Sequence, residues 1–306
     1  MKEFHIYISE YCRYVNKKLF FLSILQTAVL IYLNYHNQLK WSFTLAEFFG
    51  LPQFFGYYFL FALAFILPYF FYGLTEKKIF NNIIFIAFLI IAPAIYCIRM
   101  AWHIEIPISN NIYYNAYWNY IYYLPLRLLI ITTVLLLAWR LFDKDQTFYG
   151  ITKKHFKCKP YLLILLCIMP LILAASTQGD FLAVYPNLNS LTNINEVIHL
   201  TWAHQLLFEI SYGCDFVGVE LFFRGFLILA FVKWVGMDSI LPMACFYCTI
   251  HFGKPLAECI GSYFGGLFLG IIIYNTKSIY GGVIIHLGIG WFMEIGGYVG
   301  NMIRTT

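Results

Sequence analysis

The run IFNNIIFIAFLIIAPAIYCI, residues 79–98, holds twenty consecutive positions without a charged side chain. A hydrocarbon core about 30 Å thick takes roughly 20 residues of helix to cross. Inside it the backbone finds no water, so its polar groups must be satisfied within the helix itself. The run is therefore read as a membrane helix. Stretches 19–35, 54–74, 120–139 and 161–176 are comparably apolar. Across the 306 residues, 61% are hydrophobic and 11% charged, against about 45–50% and about 25% in a soluble domain. The expected fold is all-α, a polytopic transmembrane helical bundle with about eight to ten membrane helices.

The 25 Tyr, 31 Phe and 7 Trp often fall at span ends, as in NNIYYNAYWNYIYYL (residues 110–124). Amphipathic rings suit the headgroup layer there and read as interface anchors. The net charge is +5, but in a polytopic protein its distribution between the two sides matters more than its sum, which argues against a nucleic-acid surface. Of the eight Cys, only Cys245 and Cys248 form a C-x-x-C, within an apolar run, and small apolar packing accounts for them. All eight are read as free thiols. The N-terminal MKEFHIYISEYCRYVNKK is amphipathic with no small-residue cleavage site after an apolar core, so it is not read as a removed signal peptide.

Basic residues assign sides. Lys2, Arg13, Lys17 and Lys18 precede the first span, Lys77 and Lys78 follow the second, and Arg140, Lys144, Lys153, Lys154, Lys157 and Lys159 follow the fourth. The opposite loops hold only Lys40 and Arg99, so a cytoplasmic N-terminus is expected, in a multi-pass protein of a bacterial inner membrane. The second half depends on NEVIHLTWAHQLLFEISYG (195–213), which either spans or lies at the interface. If it spans, the preferred reading, the next helix starts on the N-terminal side and Lys254 and Arg304 share that side. If it lies flat, Lys233 and Lys277 do.

A composition shift suggests two parts: residues 1–160, apolar spans of unknown role, and residues 161–306, the membrane domain in which His, Glu and Asp enter apolar stretches. An ionised side chain at a helix centre costs about 2.5–3.5 kcal/mol on insertion scales, so these groups mark the site of chemistry. In VELFFRG (219–225), Glu220 and Arg224 are spaced i, i+4 and share a helical face. The plain alternative is a charge pair that pins a helix to its neighbours. His251 ends CFYCTIH, with Tyr247 one turn earlier and Glu258 seven residues on. His286 interrupts YGGVIIHLGIGWFMEIGGY, with Glu294 eight residues later. A lone His in a membrane helix is usually a hydrogen-bonded core residue; two of them, each near glycines and related to one Glu/Arg pair, point to function.

At these residues the chain resembles the type II CAAX prenyl proteases, also called the ABI or CPBP family of intramembrane peptidases. That family carries E-E-x-x-x-R, F-x-x-x-H and H-x-x-x-N on three successive helices. Glu220, Arg224 and Gly225 fit the second Glu, the Arg and the Gly after it, with Phe222 and Phe223 as the aromatic spacer. Tyr247 and His251 fit the second motif with Tyr for Phe, and His286 fits the third. The motifs follow one another at about 30 residues, and the likeness covers roughly residues 195–300. It implies a metal-independent endopeptidase in which Glu220 and His251 activate water, His286 helps hold the oxyanion and Arg224 fixes Glu220.

Two positions depart from the pattern. Val219 stands where the family has its first Glu, and Gly290 where it has Asn. Losing one oxyanion donor costs on the order of 2.7–4 kcal/mol; losing the general base is graver. Three repairs suggest themselves: Glu220 as base, Glu294 as a polar supporter near His286, and Asp215 acting through a water, ranked in that order. Asp215 also reads as a helix N-terminal residue. His199, His204 and Glu209 read as interface or bundle polar groups. Zinc held by His251, His286 and Glu220 is the alternative chemistry. The partners expected are a membrane-associated peptide or protein substrate and the lipid bilayer, with no nucleic acid. The rival functions are a catalytically inactive relative that binds membrane proteins as a chaperone or immunity partner, and a proton-coupled transporter. The Gly-rich GSYFGGLFLG (261–270) suits the transporter, or simply close helix packing.

Overall fold

A computed structural model describes residues 2–36, 53–74, 76–101 and 105–305; Lys40 lies outside them. Every regular element among the described residues is helical. The main helices are α1 (Lys2–Tyr14), α2 (Lys17–His36), α3 (Gln53–Gly73), α4 (Ile83–Ala101), α5 (Ile112–Phe142), α6 (Cys158–Ala175), α7 (Trp202–Glu220), α8 (Ile240–Thr249), α9 (Leu256–Thr276) and α10 (Tyr280–Thr305). Seven helices among the described residues are long and apolar enough to cross a membrane: α2 to α6, α9 and α10. The protein is an all-α, multi-pass integral membrane bundle.

The described residues form two compact units that alternate along the chain. One draws on Met1–Trp102, Val134–His155 and Leu221–Ile279, the other on His103–Thr133, Phe156–Glu220 and Tyr280–Thr306.

In the first unit α8 is the centre. All ten of its residues are buried, as expected of a short helix apolar all round, and α2, α3 and α9 pack on it. The glycines of 261–270 divide by face. A Cβ on Gly270 would come within 2.8 Å of Ile240, and one on Gly266 within 3.0 Å of Tyr247, whereas Gly261 and Gly265 face open space. The small residues thus let α9 approach α8 closely.

Hydrogen bonds assign the ends of this unit. The Asn16 N–H donates to Asp238 Oδ1 (3.1 Å), Lys233 Nζ pairs with Asp143 Oδ1 (2.7 Å) and Ser278 Oγ donates to the Thr152 carbonyl (2.6 Å). At the other end Tyr35 donates to the Lys254 carbonyl (2.6 Å). Lys233 and Lys277 therefore share the end where α2 begins, and Lys254 lies at the opposite end. This reverses the expected order, in which Lys254 sides with the N-terminus.

Between α6 and α7 the chain makes only short helical pieces, Gly179–Leu182, Asn187–Leu191 and Thr192–Ile198, none long enough to cross. Helix α7 thus starts on the side where α6 ends. Helices α6 and α10 run side by side, a Cβ on Gly288 meeting Leu165 at 2.6 Å, and α7 packs on α10. The Tyr117 hydroxyl and the Ser211 hydroxyl bond carbonyls of His204 and Ile121, joining the start of α5 to α7.

Candidate active site

Helix α7 ends at Glu220 and the chain continues in a π-helical turn, Leu221–Phe226. Such wide turns are rare and frequent at functional sites. The i, i+4 face-sharing read for Glu220 and Arg224 assumes α-helical geometry, and the π turn begins between them. Glu220 belongs to the second unit and Arg224 to the first, so each is described with its own neighbours.

In the second unit Glu220 is fully buried, at 0% exposure. Its Oε1 lies 3.0 Å from Nδ1 of His286 on α10. A carboxylate in its ionised form only accepts, and in that form it takes a hydrogen bond from an Nδ1–H imidazole. Phe216, one turn before Glu220, puts its ring centroid 4.7 Å from that of His286. Val219 is buried among apolar neighbours. At Gly290, one turn past His286, an added Cβ would meet the Phe216 ring at 2.5 and 2.6 Å. The room that an Asn would need there is filled by an aromatic ring.

In the first unit Arg224 is 1% exposed. Its guanidinium carbon lies 3.7 Å from the centroid of the Tyr247 ring, a cation–π geometry that strengthens when water is excluded. The Tyr247 carbonyl is 3.0 Å from His251 Nδ1. A carbonyl can only accept, so His251 Nδ1 carries the donated proton. The spacer residues Phe222 and Phe223 are wholly buried and pack on Tyr96 of α4 at 5.0 and 4.9 Å between centroids. The Tyr96 hydroxyl in turn accepts from Arg99 Nη1 (2.7 Å).

Gly225 follows from a close approach: a Cβ there would lie 2.6 Å from the Tyr149 carbonyl oxygen. Tyr149 has a left-handed backbone (φ 36°) and is buried, an uncommon combination for a bulky residue. Its hydroxyl donates to Asp143 Oδ2 (2.8 Å). Burial first, and the Asp143 charge second, hold the Tyr149 phenol above its usual pKa, so it stays the donor.

The other residues picked out in the sequence take separate places. Glu294 is buried and accepts from the backbone N–H of Asn187 (2.8 Å) and Leu188 (3.2 Å), holding the turn that precedes α7. Asp215 lies half-buried in the middle of α7, and Glu258 in the first turn of α9, where a carboxylate suits the helix dipole. His204 Nδ1 accepts from the Thr201 backbone N–H (3.2 Å), and His199 ends a short helix with φ 51°. All eight Cys are free thiols. Among the described residues no group of three or more His, Cys, Asp and Glu side chains is gathered so as to hold a metal.

Two residues that sequence reasoning passed over matter here. Phe216 lies four before Glu220 and Gly290 four after His286, so a large and a small residue at matching offsets on two helices was the available signal. Nothing in the sequence relates Tyr149 to Gly225.

Residues 206–292 match the family described as type II CAAX prenyl endopeptidase, Rce1-like. The match spans all three motifs and bears out the resemblance read from them. No curated protein and no solved structure gives a significant match to the chain.

Proposed function

We propose that the protein is an intramembrane endopeptidase of CAAX-protease type that hydrolyses a membrane-proximal or lipid-anchored peptide. The observation that supports this best is the buried Glu220–His286 pair. A carboxylate that orients an imidazole through Nδ1–H leaves Nε2 to take a proton and can stabilise the imidazolium that forms. Water bound at Nε2 loses its proton to His286 as its oxygen adds to the scissile carbonyl. Collapse of the tetrahedral intermediate breaks the C–N bond, and the leaving amine takes the proton back. In this reading His286 acts with Glu220 on the water, the role the family resemblance gives to His251, so the work of the two histidines is exchanged relative to the resemblance.

The reading is metal-independent, with a membrane-associated peptide or protein as substrate and a cytoplasmic N-terminus. It is tested by peptide cleavage in liposomes, comparing the wild type with Glu220→Ala, His251→Ala and His286→Ala. Cleavage is expected to be lost in each and to resist chelators. Cleavage that survives all three substitutions removes the peptidase reading, and chelator-sensitive cleavage restored by zinc removes its metal-free form.

One observation favours a second reading, the inactive relative that binds membrane proteins. Phe216 occupies the room of the family's Asn, and Val219 offers no proton chemistry. Absence of cleavage by the wild type, with partner binding unchanged in the three variants, is its signature.

A further inference from the structure

We infer that Cys248 and Cys259 are a redox pair whose oxidation closes a disulfide across the loop that carries His251. Spacing along the chain singles out a different couple, the C-x-x-C of Cys245 and Cys248. In the structure Cys245 turns to α2, its Sγ 3.3 Å from the Thr27 hydroxyl and 3.7 Å from the Ser23 carbonyl. Cys248 faces α9 instead, and its Sγ lies 3.8 Å from that of Cys259.

Two backbones are already brought together here. Cys248 Sγ donates to the Cys259 carbonyl (3.3 Å) and Cys259 Sγ lies 3.9 Å from the Cys248 carbonyl, so each thiol reaches the other's main chain. The glycines at 266 and 270 hold α9 close to α8, and a short backbone separation is what a disulfide requires. An S–S bond is about 2.05 Å long, so the sulfurs have about 1.8 Å to close, within reach of rotation about Cα–Cβ. The two cysteines are 11 positions apart, with His251 and Lys254 between them, so the bridge ties both ends of the segment on which His251 sits. Tyr35, near the end of α2, donates to the Lys254 carbonyl, which puts the pair at the end of the unit opposite the start of α2. With the cytoplasmic N-terminus proposed above, that is the side on which disulfides persist.

Both residues are 0% exposed, and burial makes a thiol slow to react, so the oxidant class is a small uncharged peroxide. One peroxide oxygen passes to the first sulfur, giving a sulfenic acid, and the other leaves as water. The second sulfur then attacks the sulfenic sulfur, which forms the S–S bond and releases a second water. In all, two thiols lose two protons and two electrons, and one peroxide is reduced to two waters. The second step joins sulfurs already in contact and so outruns further oxidation of the sulfenic acid.

The full-length protein, reduced, desalted and held in nanodiscs, tests this by mass spectrometry. The exposed thiols Cys12, Cys158 and Cys167 are capped with N-ethylmaleimide and hydrogen peroxide is added. The protein is then denatured, its remaining thiols are capped with iodoacetamide, and it is digested. The expected product is a peptide pair linked through Cys248 and Cys259 and released by dithiothreitol. Cys245→Ser should keep that linkage, and Cys248→Ser or Cys259→Ser should lose it. Recovery of both wild-type residues as alkylated thiols, linkage of Cys248 to Cys245, or sulfinic acid at either sulfur overturns the inference. The wild type alone decides, so the test does not depend on the variants folding. No readout involves cleavage, so the redox pair and the peptidase reading stand or fall separately.

Discussion

The two histidines of the sequence motifs are each paired through Nδ1, with different partners. His251 Nδ1 donates to the Tyr247 carbonyl of the preceding helix, and His286 Nδ1 pairs with the buried Glu220 carboxylate of another helix. A carbonyl orients a ring and carries only a partial charge. A carboxylate both orients it and offsets the charge it gains when Nε2 takes a proton. The surroundings differ too: Arg224 lies over Tyr247 beside an aromatic wall of Tyr96, Phe222 and Phe223, whereas His286 lies beside the Phe216 ring, for which Gly290 leaves room.

Glu220→Gln is the most direct way to break this contrast. It keeps the shape and removes the charge, and cleavage should fall by about 10²- to 10⁴-fold, the usual contribution of a general base; a loss under tenfold would give the proton-transfer role to His251 instead. Arg224→Lys comes next. An ammonium cannot lie flat on the Tyr247 ring as a guanidinium does, and replacing a buried cation in fixed geometry should lower stability by roughly 2–4 kcal/mol. An unchanged melting temperature would show that the aromatic wall does not depend on Arg224.

Gly225→Ala drives a methyl against the Tyr149 carbonyl, at a cost of about 1–3 kcal/mol. Thermal denaturation in detergent would register it, and a neutral result would mean the 148–150 turn yields without strain. The smallest effect belongs to Tyr247→Phe, which removes only the hydroxyl of a buried ring, a cost of about 0.5–1.5 kcal/mol. The ring and the main-chain carbonyl make the contacts to Arg224 and His251 described here, and both survive. A large loss would assign a role to the hydroxyl.

How much of this was legible in the sequence varied with the kind of evidence each feature leaves. Residues 79–98 read as a membrane helix because hydrocarbon excludes charge over a length that helix geometry sets, so the signal is local. Glu220, Arg224, His251 and His286 stood out for a related reason: polar groups in apolar runs are costly and are kept where they have partners. The direction of the motif helix was misread because it turned on whether 195–213 crosses, and the basic residues were evenly divided. The hydrogen bonds Asn16–Asp238 and Tyr35–Lys254 decided it.

Composition and spacing along one chain are enough to read the membrane class and the helical architecture, and to single out the four ionisable residues as candidates. Only the tertiary structure decided which histidine Glu220 faces, why residue 225 is glycine and what fills the space beside Gly290. Each of these is a contact between segments distant in sequence, 66 residues apart for Glu220 and His286. Close packing in three dimensions selects such partners, and spacing along one helix does not record them.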